Sequence, residues 1–324
     1  MIVEWWAERT VADINKSNCE AYVEWRIKQP RRRAKTAAAL AKPISTDTAR
    51  RELEDMRAAI NAYHREHTLK ALPVVTMPAK QPGRTEWLTR HQASRLLGAT
   101  LGFVWDAERA GWKRDERGWL FRRGRMIRVR RAHITRFILL GLYSARREAT
   151  IRRTQWVANT VAPWMDIDRI VYHGRGRDEQ ETKKRRGPQK IAHRLLPHLR
   201  RWHRLDAALS KRLKDRGAER SEVRHIVHRP DGRPLNGKIK TGWASVLADA
   251  GLDDEFVRHA LRHTAATWMM QARTDPWQAS GFLAMDLKTL LDTYGHHHPD
   301  FQEEAAGAFG GRQAEAKPRS GARR

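Results

Sequence analysis

HALRHTAATWMM at 259–270 and LKTLLDTYGHHHP at 287–299 are the two runs on which the reading of this chain turns. The first is helical in pattern. His259 and Arg262 stand three residues apart, so their side chains leave one face of a helix and can converge on one phosphate. The stretch between the two runs, with its Trp and Gly, reads as a turn. Tyr294, placed 32 residues after Arg262, then brings an oxygen nucleophile to the same neighbourhood.

Composition points to a polyanionic partner. The 324 residues carry 64 Lys and Arg against 37 Asp and Glu, a formal charge of +27 spread through the chain. Such a field attracts nucleic acid over long range and makes binding fall steeply with salt, without conferring sequence specificity. With 40% hydrophobic residues and 13 Trp the chain can build substantial cores, most simply in two domains. The lone Cys19 excludes an intramolecular disulfide framework and a cysteine zinc cluster, and it fits a reducing cytoplasm. There is no run of 18 or more apolar residues. MIVEWWAERT lacks the basic-then-apolar order of a signal peptide, so no membrane partner is expected.

Working outward from the two runs, helices are predicted over 18–28 and 45–67. The second is amphipathic, with Ala49, Leu53, Met56, Ile60 and Tyr63 at helical spacing. The basic break RRRAK at 31–35 lies between them. Pro73, Pro78 and Pro82 then mark an interdomain linker, because proline removes donors and favours extended backbone. Thr89 to Gln92 has the form of a capping box opening a helix that carries Leu96 and Leu97. An apolar helix is expected across 133–151 and a strand at 167–173. A charged hairpin or loop leads from there towards QKIA at 189–192, and a further helix runs through 193–205 despite Pro197. HRPDGRPLNGK at 228–238 reads as a turn-rich connection.

On LRHTAATW at 261–268, the His259-x-x-Arg262 pair and Tyr294, the chain resembles the tyrosine recombinase (phage integrase) family. The resemblance implies a mainly α fold with a small β-sheet (α+β). It divides the chain into a helical core-binding, DNA-binding domain at 1–72, a linker at 73–86, a catalytic domain at 87–309 and a basic tail at 310–324. The segment before residue 18 leaves little room for a separate arm-type DNA-binding domain. The partner implied is double-stranded DNA at recombination sites, engaged by four copies of the chain, and no cofactor or metal is required.

The resemblance also assigns roles. Tyr294 attacks a scissile phosphate and becomes joined to DNA through a 3′-phosphotyrosyl bond. Arg262 and a second arginine stabilise the transition state, a task suited to groups that stay ionised and offer planar paired donors. In the family that arginine follows a Tyr-Thr-Gly-x-Arg pattern. Tyr143-Ser144-Ala145-Arg146-Arg147 stands in that place, which favours Arg147, with Arg146 as its competitor because Ala145 replaces the usual Gly. His259 acts as acid/base and orienter, and a hairpin lysine, Lys183 or alternatively Lys184, protonates the departing 5′-oxygen.

Met285 departs from the family, which often has His or Trp nine residues before the nucleophile. A thioether donates no hydrogen bond to phosphate. Packing is then what the position supplies, or activity is reduced, or His296, His297 and His298 substitute from the other side of Tyr294. A metal reading of those histidines is weak, since adjacent side chains diverge and no carboxylate or Cys cluster accompanies them. His259 and His263 are spaced like zinc ligands, yet Ala260 stands where a zinc protease would place Glu. The rival readings are a catalytically impaired, integrase-derived DNA-binding protein, a type IB topoisomerase-like relaxase and an electrostatic nucleic-acid chaperone.

Overall fold

The computed structural model describes residues 2–30, 43–81, 83, 85–180, 186–235 and 239–308. The segment RRRAK at 31–35, Lys183, Lys184 and the expected tail at 310–324 lie outside the described residues. Two compact units divide the chain, residues 1–84 and 85–324.

In the first unit, α1 (Ile2–Trp6) precedes α2 (Lys16–Lys28), which Asn15 caps by accepting from the Asn18 amide at 2.9 Å. Helix α3 (Thr46–His67) packs on α2 through Ala49 and Leu53 against Cys19 and Tyr22. Arg26, buried in that contact, grips Glu52 with two donors at 2.7 and 2.8 Å, and the Tyr22 hydroxyl reaches the same carboxylate. Tyr63, expected on the apolar face, is 52% exposed. At 1.5 Å rise per residue the 22-residue α3 outruns its 13-residue partner, so the last part of its apolar stripe runs past α2. The proline-bearing stretch is not purely a spacer. Val75 is buried in this unit's core and Met77 packs against it.

The second unit opens with α4 (Arg90–Thr100), whose capping box is reciprocal: the Gln92 amide donates to Thr89 and the Thr89 amide to Gln92. A short ribbon follows, β1 (Trp105–Asp106) paired with β2 (Gly111–Trp112). Helix α5 (Arg125–Ser144) runs through the core, burying Ile134, Phe137, Ile138 and Leu140. The single helix expected over 133–151 is in fact two. Ala145 takes a left-handed conformation with φ 52° and caps α5, and α6 (Glu148–Arg153) starts after it.

The strand expected at 167–173 is likewise half of a hairpin. Strands β3 (Trp164–Asp166) and β4 (Val171–His173) pair antiparallel, and the residues between them form the turn, with Ile170 at φ 57°. Strand β5 (Gln189–Lys190) completes the small sheet on the other edge of β4. Pro197 does not interrupt α7 (Leu196–Asp215) because it lies in the first turn, where a backbone N–H has no intrahelical acceptor.

Helix α8 (Lys240–Asp249) leads to α9 (Ala260–Gln271). The stretch after it, expected as a turn, folds into α10 (Pro276–Leu283). Asp275 caps α10 by accepting from the Gln278 amide, and Pro276 occupies the first helical position. Helix α11 (Leu287–Tyr294) follows under an Asp286 cap, and α12 (Glu303–Gly307) is the last element described. The mainly α fold with a small antiparallel sheet is therefore as the sequence implied.

Helices α5 and α9 cross at Gly141, where a Cβ would stand 2.6 Å from Cδ1 of Leu261. That absence of a side chain seats Leu261, and through it the neighbouring Arg262. Gly141→Val should overpack the crossing and destabilise the second unit by about 1–3 kcal/mol, read as a lowered transition in thermal or urea unfolding. An unchanged midpoint would show that the crossing is looser than described.

Candidate active site

Arg262 projects from the first turn of α9, where the carbonyl of His259 accepts from the amides of Arg262 and His263. Its side chain is 3% exposed, and Nη1 donates to the Ala145 carbonyl at 2.7 Å. The left-handed turn at Ala145 thus does two things. It ends α5 with an oxygen aimed at Arg262, and it places Arg147 at the N-cap of α6, half-buried beside that guanidinium. Left-handed backbone is what a Gly accommodates most easily. Ala145 therefore fills the glycine position of the Tyr-Thr-Gly-x-Arg frame, and in that register the frame's arginine is Arg147.

Arg146 turns the other way. Its guanidinium lies over the Tyr172 ring at 5.4 Å, and Nη2 donates to the Gly187 carbonyl at 2.5 Å in the connection between β4 and β5. Lys183 and Lys184 belong to that same connection, outside the described residues.

Charge is the distinctive property of this cluster. Of the buried arginines among the described residues, Arg26 pairs with Glu52, Arg131 with Asp249 and Arg136 with Asp206. Arg146 and Arg262 pair with no carboxylate among the described residues. Nη2 of Arg262 and Nε of Arg146 are also buried without a hydrogen-bond partner. Burial lowers the pKa of Arg262 to about 10, and Arg147 and Arg146 push the same way against the opposing pull of Tyr294. Arg147 is held below the ordinary value by burial and then by Arg186. A buried charge without a counter-charge is costly, and the arrangement suits an anion that would supply one.

Tyr294 closes α11 with its side chain 3% exposed, in an apolar cluster with Ala265, Ala266, Leu283 and Leu290. Its hydroxyl lies 2.5 Å from Nδ1 of His263. Burial raises the phenol's pKa, and Arg262 partly offsets that. His263 is pushed down to about 4, first by burial, then by His259 and Arg262, against the pull of Glu86. His259 packs its ring edge-on to that of His263 at 4.7 Å, and burial, Arg262 and Arg147 lower its pKa as well.

Four of the expected residues, Arg147, His259, Arg262 and Tyr294, therefore meet in one place. Met285 packs against the apolar cluster that holds Tyr294. His297 rests edge-on against Trp87 at 5.5 Å. The described residues contain no group of three His, Cys, Asp or Glu side chains arranged to hold a metal ion.

Sequence reasoning treated His263 only as a spacing to be dismissed as a zinc site. The signal for His263 was present: it adjoins Arg262 on the helix face that Tyr294 must approach.

The uncompensated charge makes a stability prediction. Arg262→Met should leave the second unit's thermal midpoint unchanged or raise it, because an unpaired buried charge is removed. Arg136→Met should lower stability by about 3–5 kcal/mol, since it strands the Asp206 carboxylate. Sulfate at fixed ionic strength should stabilise the wild type more than the Arg262→Met form. Equal destabilisation by the two substitutions would contradict this account.

The fold is one found among solved site-specific recombinases. The Tn1549 transposon integrase in complex with transposon right end DNA matches at TM-score 0.58 and 12% identity, covering 95% of this chain and 90% of that one. The same integrase in complex with circular intermediate DNA matches at TM-score 0.54 and 14% identity, over 94% and 90%. The XerH site-specific recombinase bound to palindromic difH substrate, in a post-cleavage complex, matches at TM-score 0.52 and 13% identity, over 95% and 76%. No protein-family model and no curated protein sequence matches the chain.

Proposed function

We propose that this chain, which has the tyrosine-recombinase fold, is a site-specific DNA recombinase or integrase that cuts and rejoins strands through a 3′-phosphotyrosyl intermediate. The observation that carries the reading is the buried Arg262 guanidinium, which pairs with no carboxylate among the described residues and lies close to Arg147 and to the buried Tyr294 hydroxyl. Attack on a phosphodiester puts additional charge on its non-bridging oxygens, and preorganised donors at those oxygens lower the barrier. Arg262 and Arg147 are those donors. Arg146 anchors the β4–β5 connection beneath them.

The Tyr294 oxygen attacks phosphorus, the bond to the 5′-oxygen breaks, and Lys183 or Lys184 gives that oxygen its proton. His259 orients the phosphate and serves as acid/base. Attack by a partner strand's 5′-hydroxyl reverses the step and releases Tyr294. The phosphotyrosyl bond keeps the energy of the broken ester, so the cycle needs neither a nucleotide nor a metal.

Double-stranded DNA is the partner, consistent with the +27 charge. Four copies on two DNA sites in the cytoplasm form the working assembly. No described helix is long and apolar enough to cross a membrane.

A second reading, an integrase-derived DNA-binding protein without strand cleavage, draws on Met285, which offers no donor to phosphate where relatives have His or Trp. One experiment separates the two. Nicked suicide duplexes cut from the DNA flanking the protein's own gene are incubated with it in EDTA and run on a denaturing gel. Recombinase chemistry gives a covalent protein–DNA band that Tyr294→Phe abolishes and Arg262→Ala slows by about 10²–10³-fold. Specific binding with no covalent band would favour the second reading.

A further inference from the structure

We propose that His263, rather than the His259 of the His-x-x-Arg pair, is the base that takes the proton from Tyr294. This rests on the recombinase reading above. Among the described residues, the hydrogen bond of the Tyr294 hydroxyl is to Nδ1 of His263, at 2.5 Å. His259 lies behind it, ring against ring at 4.7 Å.

The need for a base follows from burial. A phenol with an ordinary pKa near 10 is ionised only to about one part in 10³ at pH 7. Tyr294 is raised further by its apolar surroundings. His263 is suited to the task because its ring is neutral at working pH, which leaves Nδ1 able to accept when Nε2 carries the ring proton. The charged groups facing it are Arg262 and His259 from α9 itself, Glu86 from the segment before α4, and the Tyr294 hydroxyl from α11. Burial first, and then His259 and Arg262, keep the proton off the ring. A bound phosphodiester would offset part of that positive field, making His263 more basic when substrate arrives.

The step balances. The Tyr294 O–H bond breaks as the Nδ1–H bond forms; the Tyr294 oxygen bonds to phosphorus as the bond to the 5′-oxygen breaks; and Lys183 or Lys184 protonates that oxygen. On religation His263 returns its proton to Tyr294. Because the two imidazoles touch, a second positive charge on His259 is disfavoured while His263 holds the proton.

The test is the pH dependence of single-turnover covalent complex formation on the suicide duplex. The wild-type rate should be nearly flat from about pH 6 to 9, the behaviour of a base already deprotonated. His263→Ala should lose about 10²–10⁴-fold at the acid end and then rise roughly tenfold per pH unit, as hydroxide takes over, with partial rescue by imidazole. His263→Asn, whose side-chain oxygen can still accept the hydrogen bond but cannot take the proton, should follow the Ala form. An Asn form with wild-type rate and profile would reduce His263 to a positioning residue and overturn the proposal. A wild type without any Tyr294-dependent adduct would overturn the recombinase reading along with it.

Nitrogen-15 spectra of the protein without DNA give an independent answer. A neutral His263 protonated on Nε2 at pH 6 is expected. A ring protonated on Nδ1 at that pH, donating to the tyrosine, would exclude the base role even if every variant failed to fold.

Discussion

The hydrogen bond from Arg262 to the Ala145 carbonyl joins segments 117 residues apart, and the site depends on it. It can form only if α5 ends in a left-handed turn, so that the last carbonyl faces across to α9 instead of along its own helix axis. It also requires α9 to lie close to α5, which Gly141 permits by leaving room for Leu261. Backbone conformation at one position and side-chain absence at another thus fix where a single guanidinium sits. Arg147 follows from the same turn, since the residue that starts α6 is carried to Arg262 by the reversal at Ala145.

Elsewhere the chain treats buried arginine as a problem to be answered locally. Asp206 receives Arg136, the Trp156 indole and His228 at once. Asp249 receives Arg123 and Arg131. Those carboxylates are pulled below their ordinary pKa by their partners although burial works against it. Among the described residues Arg146 and Arg262 have no such carboxylate, and each keeps one buried donor without a hydrogen-bond partner. Among the described residues three buried arginines are paired with carboxylates and Arg146 and Arg262 are not, which leaves a local excess of positive charge suited to an anion that can accept from paired donors.

Most of the architecture could be read from pattern because its determinants are local. The capping box at Thr89, the amphipathic α3 and the two runs at 259–270 and 287–299 each carry their signal within a turn or two of chain. Two of the misreadings share one cause. Ala145 and Ile170 adopt positive φ without being Gly, so the break in the 133–151 helix and the turn inside 167–173 had no punctuation to mark them. The α10 helix was missed for another reason, since the stretch was read as a turn on its Trp and Gly although Pro276 sits at a helix start under an Asp275 cap. Within the site, residue types that announce phosphate chemistry were legible. What those residues touch was not, because the contact of His263 with Tyr294 spans α10 and depends on how three helices pack.

Burial acts on the members of this site in opposite senses. It disfavours charge everywhere, so Tyr294 keeps its proton, His263 stays without one, and Arg262 alone must remain charged because even a pKa of about 10 leaves it ionised at neutral pH. The resting site is therefore a neutral acid–base couple held beside fixed positive charge. Bringing a phosphodiester to those guanidiniums changes one quantity, the local field, and both partners of the couple respond. An anion there would raise the imidazole's affinity for a proton, while Leu283, Leu290 and Met285 pack around Tyr294 as an apolar wall. On that view a thioether at 285 suits the site better than its lack of a donor suggests. Its contact is with the apolar cluster that holds Tyr294, while α9 brings His263 to the hydroxyl.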